Sequence, residues 1–286
     1  MEQLLGLIST IFPLAEMQLP FMQKAMLGLV LLAPLTAMVG VQAINFRMAF
    51  FTDAISHTSL AGVAIGVIFS ISPYWTMPVF GVLISAAIVY SKRNSFLSLD
   101  TVIGVILSAV VAFGIAIVSR NPGLGKMVLR FIYGDVLTLS NNDILFLFLL
   151  LIAMVAFQIY AFNKMLYAGM DSLVAEVHGV NVTLFQYLYA AFLSVTVIFC
   201  VWWCGILIVT GMIIVPAAAA RNMSCSIGAM FWWAIVISLI SSISGLLISA
   251  QQWAGTATGA TVVLVAFVLF VLSFIFKKAV SGRKTF

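Results

Sequence analysis

Charged residues are scarce in this 286-residue chain, which holds only 13 Lys and Arg and 8 Asp and Glu, or 7% of the sequence. A soluble fold of this length needs far more charged surface, so the composition excludes a soluble protein with a large core. Hydrophobic residues make up 64% of the chain, and the mean hydropathy is +1.23. We therefore expect an all-α, polytopic membrane protein built as a bundle of transmembrane helices.

Cysteine is also rare, because the chain has only three: Cys200, Cys204 and Cys225. This number is too small for a disulfide framework and for a four-cysteine zinc site. Cys200 and Cys204 lie inside an apolar run, where a free thiol behaves as a small hydrophobic group. Ordinary packing is the role we expect for these thiols.

Familiar catalytic motifs are missing as well. The glycine-rich run at 123–127 has neither the glycine spacing nor the hydroxyl residue of a phosphate-binding loop. No Gly-x-Ser-x-Gly elbow and no His-Glu-x-x-His zinc motif occurs anywhere in the sequence. We therefore expect a protein that is not an enzyme and hydrolyses no nucleotide itself, so energy for any pumping must come from a partner or an ion gradient.

Long apolar runs, by contrast, occur throughout the chain. A helix needs about 20 apolar residues to cross about 30 Å of hydrocarbon. The candidate spans form one transmembrane domain over residues 1–286, with about nine helices predicted and eight possible, at 21–44, 49–69, 74–90, 98–118, 143–162, 184–203, 204–220, 228–250 and 258–276.

The basic residues indicate an orientation for these spans. With nine spans and a cytoplasmic C-terminus, nine Lys and Arg lie on the cytoplasmic side and only four, Lys24, Arg120, Lys126 and Arg130, on the outer side. Because basic residues concentrate in cytoplasmic loops, this count favours an outer N-terminus and a cytoplasmic C-terminus. An eight-span arrangement would break the count near the chain ends.

The second span carries two ionisable residues, Asp53 and His57, in an otherwise nearly uncharged region. Residues i and i+4 project from the same helix face, so the carboxylate and the imidazole can contact one small cation together. Both are natural ligands of zinc, manganese and iron. Nearby Ser56, Thr58 and Ser59 could orient the imidazole through hydrogen bonds. A purely structural Asp-His pair remains the alternative.

A second segment, residues 165–182, connects two spans on the predicted cytoplasmic side. It contains a short polar and apolar helix around Asp171, Ala175 and Glu176, which ends at Gly179. Gly179 fits a helix C-cap, because glycine readily adopts the left-handed conformation needed there. Spacing alone leaves two interpretations open: docking on a soluble partner, or an ordinary surface loop.

Two further features bear on movement and access. Pro216 should kink or end its span near the cytoplasm and is a candidate hinge. The outer segment at 120–142 begins with an Asn-Pro-Gly turn signal and includes Asp135, which could meet a cation at an entrance.

Several of these motifs together resemble the membrane permeases of the bacterial zinc, manganese and iron ABC importers. The resemblance extends over most of the chain, and two of its parts are the most specific. One is the run from Asp53 to His57 with Gly62, and the other is the run from Gly205 to Val209 that leads to Pro216.

This resemblance implies a homodimeric type II importer-like permease in the bacterial inner membrane. The expected partners are a second copy of this chain, a cytoplasmic ABC ATPase dimer and an extracytoplasmic metal-binding protein. Asp53 and His57 would handle the transported ion transiently, with no permanently bound cofactor. Residues 165–182, which include Asp171, Ala175, Glu176 and Gly179, would form the coupling helix; we call them the coupling segment.

Departures from the family pattern favour the zinc-type permeases. Manganese-type members often carry proline where Ala61 precedes Gly62, and members often have two basic residues where this chain has only Arg47. One Asp and one His would also accept manganese or iron. The alternatives from other classes are a stand-alone, gradient-driven transporter or channel, in which the pair relays protons, and a membrane-embedded enzyme.

Overall fold

The computed structural model describes residues 15–120, 136–170, 172–251 and 253–281, and these residues are helical with short connections. In chain order, the α-helices are α1 Pro20–Asn45, α2 Ala49–Ile68, α3 Pro73–Arg93, α4 Leu99–Arg120, α5 Asn141–Met170, α6 Ser172–Val177, α7 Val182–Cys204, α8 Ile206–Met223, α9 Ile227–Ser249 and α10 Thr258–Ser281. Two single-turn 3₁₀ helices, Ala15–Gln18 and Val136–Thr138, complete the described elements.

Nine of these helices are long and apolar enough to cross a membrane, within the described part of the chain. This confirms the all-α fold and the prediction of about nine spans, since each predicted span lies on one of them. The largest difference is in α5, which continues to Met170 instead of ending near residue 162. Hydropathy reports where the hydrocarbon ends, but the backbone hydrogen bonds of a helix can continue beyond that point.

Contacts divide the chain into two compact units, each with its own packing. We call the first the α2 unit, and it comprises Gln42–Tyr133 and Phe157–Thr210. The second, the α9 unit, comprises Met1–Val41, Gly134–Ala156 and Gly211–Phe286. The single domain predicted over residues 1–286 stays a prediction.

Close helix approach in the α2 unit depends on glycines. Helix α2 packs against α3, α4 and α7, and α3 also packs against α7. A Cβ on Gly62 would lie 2.8 Å from Cα of Met77, and a Cβ on Gly81 would overlap the Ile198 side chain. The Thr76 hydroxyl donates to the Gly62 carbonyl at 2.8 Å. Small residues of this kind let helix backbones approach in lipid, where no hydrophobic force drives helices together.

The α9 unit uses the same device at other positions. A Cβ on Gly40 would overlap the Ile213 carbonyl, and one on Gly245 would lie 2.5 Å from Cα of Val262. Asn222 donates a side-chain hydrogen bond to Ser273 at 3.2 Å, which links α8 to α10.

Candidate metal site

The helix that carries Asp53 and His57 exposes only a narrow stripe. Between Phe51 and Ser59, every residue of α2 is buried except Asp53 and His57. Phe50, one turn before Asp53, is exposed, and Leu60 is partly exposed. This spacing of three and four residues traces one helix face. The two ionisable side chains therefore lie together on the one open face of an otherwise buried helix segment.

The two side chains are close enough to share an ion. Nε2 of His57 lies 3.8 Å from Oδ1 of Asp53, too far for a hydrogen bond. Two ligand atoms on one tetrahedral zinc ion lie roughly 3.3–3.5 Å apart, given bond lengths of about 2.0–2.2 Å. A closure of about half an ångström, within side-chain freedom, would bring both donors onto one ion.

The pair is accessible as well as close. The side chain of His57 is 33% exposed and that of Asp53 is 40% exposed. Ionisable groups inside a membrane segment are costly and face a bundle interior or a wet cavity. Partial exposure on one stripe leaves both donors free to meet an ion that arrives from that side.

The hydroxyl residues beside the pair donate to the backbone of their own helix. Ser56 donates to the Thr52 carbonyl, Thr58 to the Ala54 carbonyl, and Ser59 to the Ser56 carbonyl. All three hydroxyl residues are fully buried. Such bonds back to the preceding turn satisfy a hydroxyl inside an apolar bundle. The predicted role of these residues in orienting the imidazole stays a prediction.

Asp53 and His57 supply only two donors to any ion. Among the described residues, no cluster of three or more His, Cys, Asp or Glu side chains could hold a metal ion. Structural zinc sites have four protein ligands, and catalytic ones have three. A two-donor arrangement suits brief contact with a moving ion better than permanent retention.

The coupling segment contains the short helix α6, which ends as the sequence predicted. Gly179 has a φ of +71°; its N–H donates to the Glu176 carbonyl, and the Val180 N–H donates to the Ala175 carbonyl. This pair of bonds is a Schellman cap. Ala175 is buried, and α6 packs against α7, whereas Glu176 and Val177 are exposed.

The other histidine lies in this segment, far along the chain from the pair. The ring of His178 stacks on Tyr167 with centroids 5.3 Å apart, which holds the end of α6 against the end of α5. Asp171 and Asp135, together with most of the outer segment at 120–142, lie outside the described residues.

Pro216 is buried inside α8, and the helix continues through it to Met223. Of the two outcomes predicted at this proline, a kink or an end, the structure excludes the end, because a helix tolerates the loss of one hydrogen bond. Its role as a hinge stays a prediction.

A position that sequence reasoning undervalued is Gly205, the one residue between α7 and α8. Its φ of 83° and ψ of 164° belong to a region that glycine almost alone can adopt. The sequence does indicate a sharp turn near this position, because the predicted spans 184–203 and 204–220 follow each other with no loop between them.

Comparison with known proteins identifies the family of this chain. Residues 18–277 match the ABC 3 transport family. The "High-affinity zinc uptake system membrane protein ZnuB" of Haemophilus influenzae is 30% identical over 254 residues, which cover 89% of this chain and 96% of that protein. The "Manganese transport system membrane protein MntC" of Halalkalibacterium halodurans is 31% identical over 261 residues, covering 90% of this chain and 87% of that protein.

A solved structure supports the same assignment. The chain matches "PsaBC from Streptococcus pneumoniae in complex with Fab" with a TM-score of 0.78 and 27% identity, covering 90% of this chain and 92% of that one. The family match spans most of the sequence, and the fold agrees over the same length. This chain belongs to the ABC 3 transport family and is a helical membrane permease.

Proposed function

We propose that this chain is the membrane permease subunit of an ATP-driven importer of a divalent transition metal ion, with zinc as the cargo. The observation that carries the proposal is the Asp53–His57 pair, with 3.8 Å between donor atoms on the open stripe of α2. The pair offers one nitrogen and one carboxylate oxygen, a donor set that zinc accepts readily. Relatives named for zinc uptake and for manganese transport support a metal cargo.

The transit role requires weak binding. Ligands fixed in a closed structural site would retain the ion, so one partly exposed pair of donors in each copy suits a site that must release its cargo. A second copy of this chain, with its own pair facing the same path, would raise the number of donors to four. We therefore propose a homodimer that forms one translocation pathway, and the partly exposed stripe of α2 supports it because the pair is open in the single chain.

Energy would come from a separate ABC ATPase dimer in the cytoplasm, and an extracytoplasmic metal-binding protein would deliver the ion. The coupling segment, residues 165–182, would dock on the ATPase. Exposed Glu176 and Val177 on a short capped helix support this role, because they offer a charge and an apolar side chain to a partner. Asp171, Ala175 and Gly179 complete the proposed docking helix.

The proposed location is the bacterial inner membrane, with an outer N-terminus and a cytoplasmic C-terminus. The distribution of Lys and Arg supports this orientation. In that orientation the coupling segment and the exposed Arg93 at the end of α3 lie on the cytoplasmic side. ATP binding and hydrolysis would move the coupling helices and alternate access to Asp53 and His57, with Pro216 as a hinge.

The test is uptake of radioactive zinc and manganese at limiting concentration, in cells that lack their own importers and express this chain with its ATPase and binding protein. We expect zinc uptake that requires both His57 and an active ATPase. Manganese preference would keep the mechanism and change the cargo. Uptake that continues with an inactive ATPase would overturn the proposal in favour of a gradient-driven transporter, in which Asp53 and His57 relay protons.

A further inference from the structure

The end of α1 is fitted closely against the end of α5 in the α2 unit. The side-chain amide of Asn45 donates to the Met165 carbonyl at 3.4 Å and lies against Gly169. A Cβ on residue 169 would overlap the amide nitrogen of Asn45 and lie 2.8 Å from its Cγ. Met165 and Gly169 belong to the first turns of the coupling segment, so Asn45 contacts that segment directly.

The next residue makes a second contact with the same side of the unit. The ring of Phe46 stacks on Tyr189 of α7, with centroids 5.1 Å apart and planes at 26°. Tyr189 is fully buried, so Phe46 stacks on a ring that is enclosed by the rest of the unit. Helix α7 begins at Val182, where the coupling segment ends. The end of α1 and the turn after it therefore contact both the start of the coupling segment and the helix that follows that segment.

The turn itself is held by backbone hydrogen bonds. The Arg47 N–H donates to the Ile44 carbonyl and the Met48 N–H to the Ala43 carbonyl, which is the bond pair of a Schellman cap. Arg47 has a φ of 57°, the left-handed conformation that glycine normally supplies in such a cap. Helix α2 starts at Ala49, and the Phe51 N–H donates to the Met48 carbonyl at 3.1 Å. Only Met48 separates the capped turn from the helix that carries Asp53.

We propose that Asn45, seated on Gly169, is a positioning residue that transmits movement of the coupling segment to the Asp53–His57 pair. The inference rests on the proposed function. When the coupling segment moves, α5 carries the Asn45 side chain with it, and the rigid turn passes the displacement to the first turn of α2. Asp53 lies one turn into that helix, so its carboxylate moves relative to the path without any contact between the coupling segment and the metal.

The test uses the complete complex of this chain with its ATPase and binding protein, reconstituted in proteoliposomes and supplied with zinc. The measured quantity is zinc taken up per ATP hydrolysed. For Asn45→Ala we expect this ratio to fall about fivefold while ATP hydrolysis stays within about twofold of the unaltered complex. If Asn45 acts only in folding, zinc uptake and ATP hydrolysis should fall together and their ratio should stay the same. An unchanged ratio would therefore overturn the inference.

A matched control is Asn222→Ala, which also removes an asparagine that donates one hydrogen bond to a neighbouring helix. We expect its ratio of zinc to ATP to stay unchanged; a fall equal to that of Asn45→Ala would mean that any such loss uncouples the protein and would overturn the inference.

A second variant covers the case in which Asn45→Ala does not assemble. Gly169→Ala adds a methyl group that displaces the Asn45 amide, so we expect the same uncoupling. The double variant should show no larger loss than either single change, because both remove one contact. Additive losses would overturn the inference. If the unaltered complex shows no uptake that depends on ATP and His57, both the proposed function and this inference fail. If the unaltered complex takes up zinc and both variants keep its ratio of zinc to ATP, only this inference fails.

Discussion

Helices α2 and α4 are neighbours that both cross the membrane, yet they are opposite in character. In an apolar 18-residue stretch of α2, 67% of the residues are buried, whereas in the corresponding stretch of α4 only 22% are buried. They meet where Gly114 of α4 lies against Ala61 of α2, and a Cβ on Gly114 would lie 3.5–3.8 Å from atoms of Ala61. Helix α2 contains Asp53 and His57, whereas the charges of α4 are at its ends, Asp100 in the first turn and Arg120 in the last.

This difference teaches how burial works in a membrane protein. In a soluble protein the most apolar helix is buried. In a membrane the most apolar helix can face the lipid, because lipid tails are as apolar as leucine. Helix α2 is less apolar than α4 and is buried by other helices. Its charged side chains are expected to face protein or the ion pathway instead of lipid. A span such as α4, which has its charges only at its ends and carries large exposed side chains, is expected to face lipid.

The largest effect is expected from a charge on the lipid-facing helix. Ala109 is exposed near the middle of α4, and Ala109→Asp should lower the amount of correctly inserted protein severely, since Asp at a membrane centre costs about 2.5–3.5 kcal/mol. Membrane fractionation with protease protection measures insertion.

The matched change on the buried helix, Asp53→Ala, should insert at the normal level. Ala109→Ser is the control for the change in side-chain size. Normal insertion of Ala109→Asp would show that this face of α4 meets a wet or protein surface.

A smaller effect on stability is expected from a methyl group in the tight contact of α2. Gly62→Ala places a Cβ 2.8 Å from Met77 and should destabilise the protein by about 1–3 kcal/mol through overpacking. Thermal unfolding of the detergent-solubilised protein measures this.

Gly104→Ala in α4 is the matched control, because nothing lies within 4 Å of the added Cβ and alanine favours the helix. Equal melting temperatures for the two variants would contradict the difference in packing between the helices.

Of these two helices, α2 should be important for transport and the exposed face of α4 should not. His57→Ala should lower zinc uptake at limiting concentration by at least about tenfold, because one of two donors is lost. Phe113→Ala, which trims an exposed ring of α4, should leave uptake within about twofold. Both variants need normal assembly with the ATPase. Undiminished uptake by His57→Ala would exclude a transit role for the pair.

The smallest effect is expected from the hydroxyl groups behind the pair. Thr58→Ala removes a hydroxyl that donates to the Ala54 carbonyl of its own helix, so uptake should change by less than about twofold. The measurement is zinc uptake as a function of concentration. A tenfold weaker apparent affinity would instead support the predicted orienting role of Ser56, Thr58 and Ser59.

Much of the fold could be predicted because its signals are local. Hydrocarbon thickness sets the length of each apolar run, so hydropathy located the nine membrane-spanning helices of the described residues to within a few residues at most ends. The spacing of four between Asp53 and His57 similarly predicts side chains on one face, and the structure brings them within 3.8 Å. The cap at Gly179 followed from the conformational freedom of glycine.

Other features could not be predicted, because they depend on residues far apart in the chain. Nothing in the sequence around Asn45 indicates that Gly169 lies against it, and Arg47 carries no mark of its left-handed conformation. At Pro216 the sequence predicted a kink or an end, and only the structure shows that α8 continues to Met223.

By itself, the sequence determined the membrane class, the helical spans and the placement of Asp53 and His57 one turn apart, because composition and helix periodicity act over short distances along the chain. Only the tertiary structure decided which face of α2 stays open, which glycines permit close approach, and how the turn at Asn45 is held against the coupling segment. Those features arise from packing between distant segments, and a sequence pattern does not encode the distance between them.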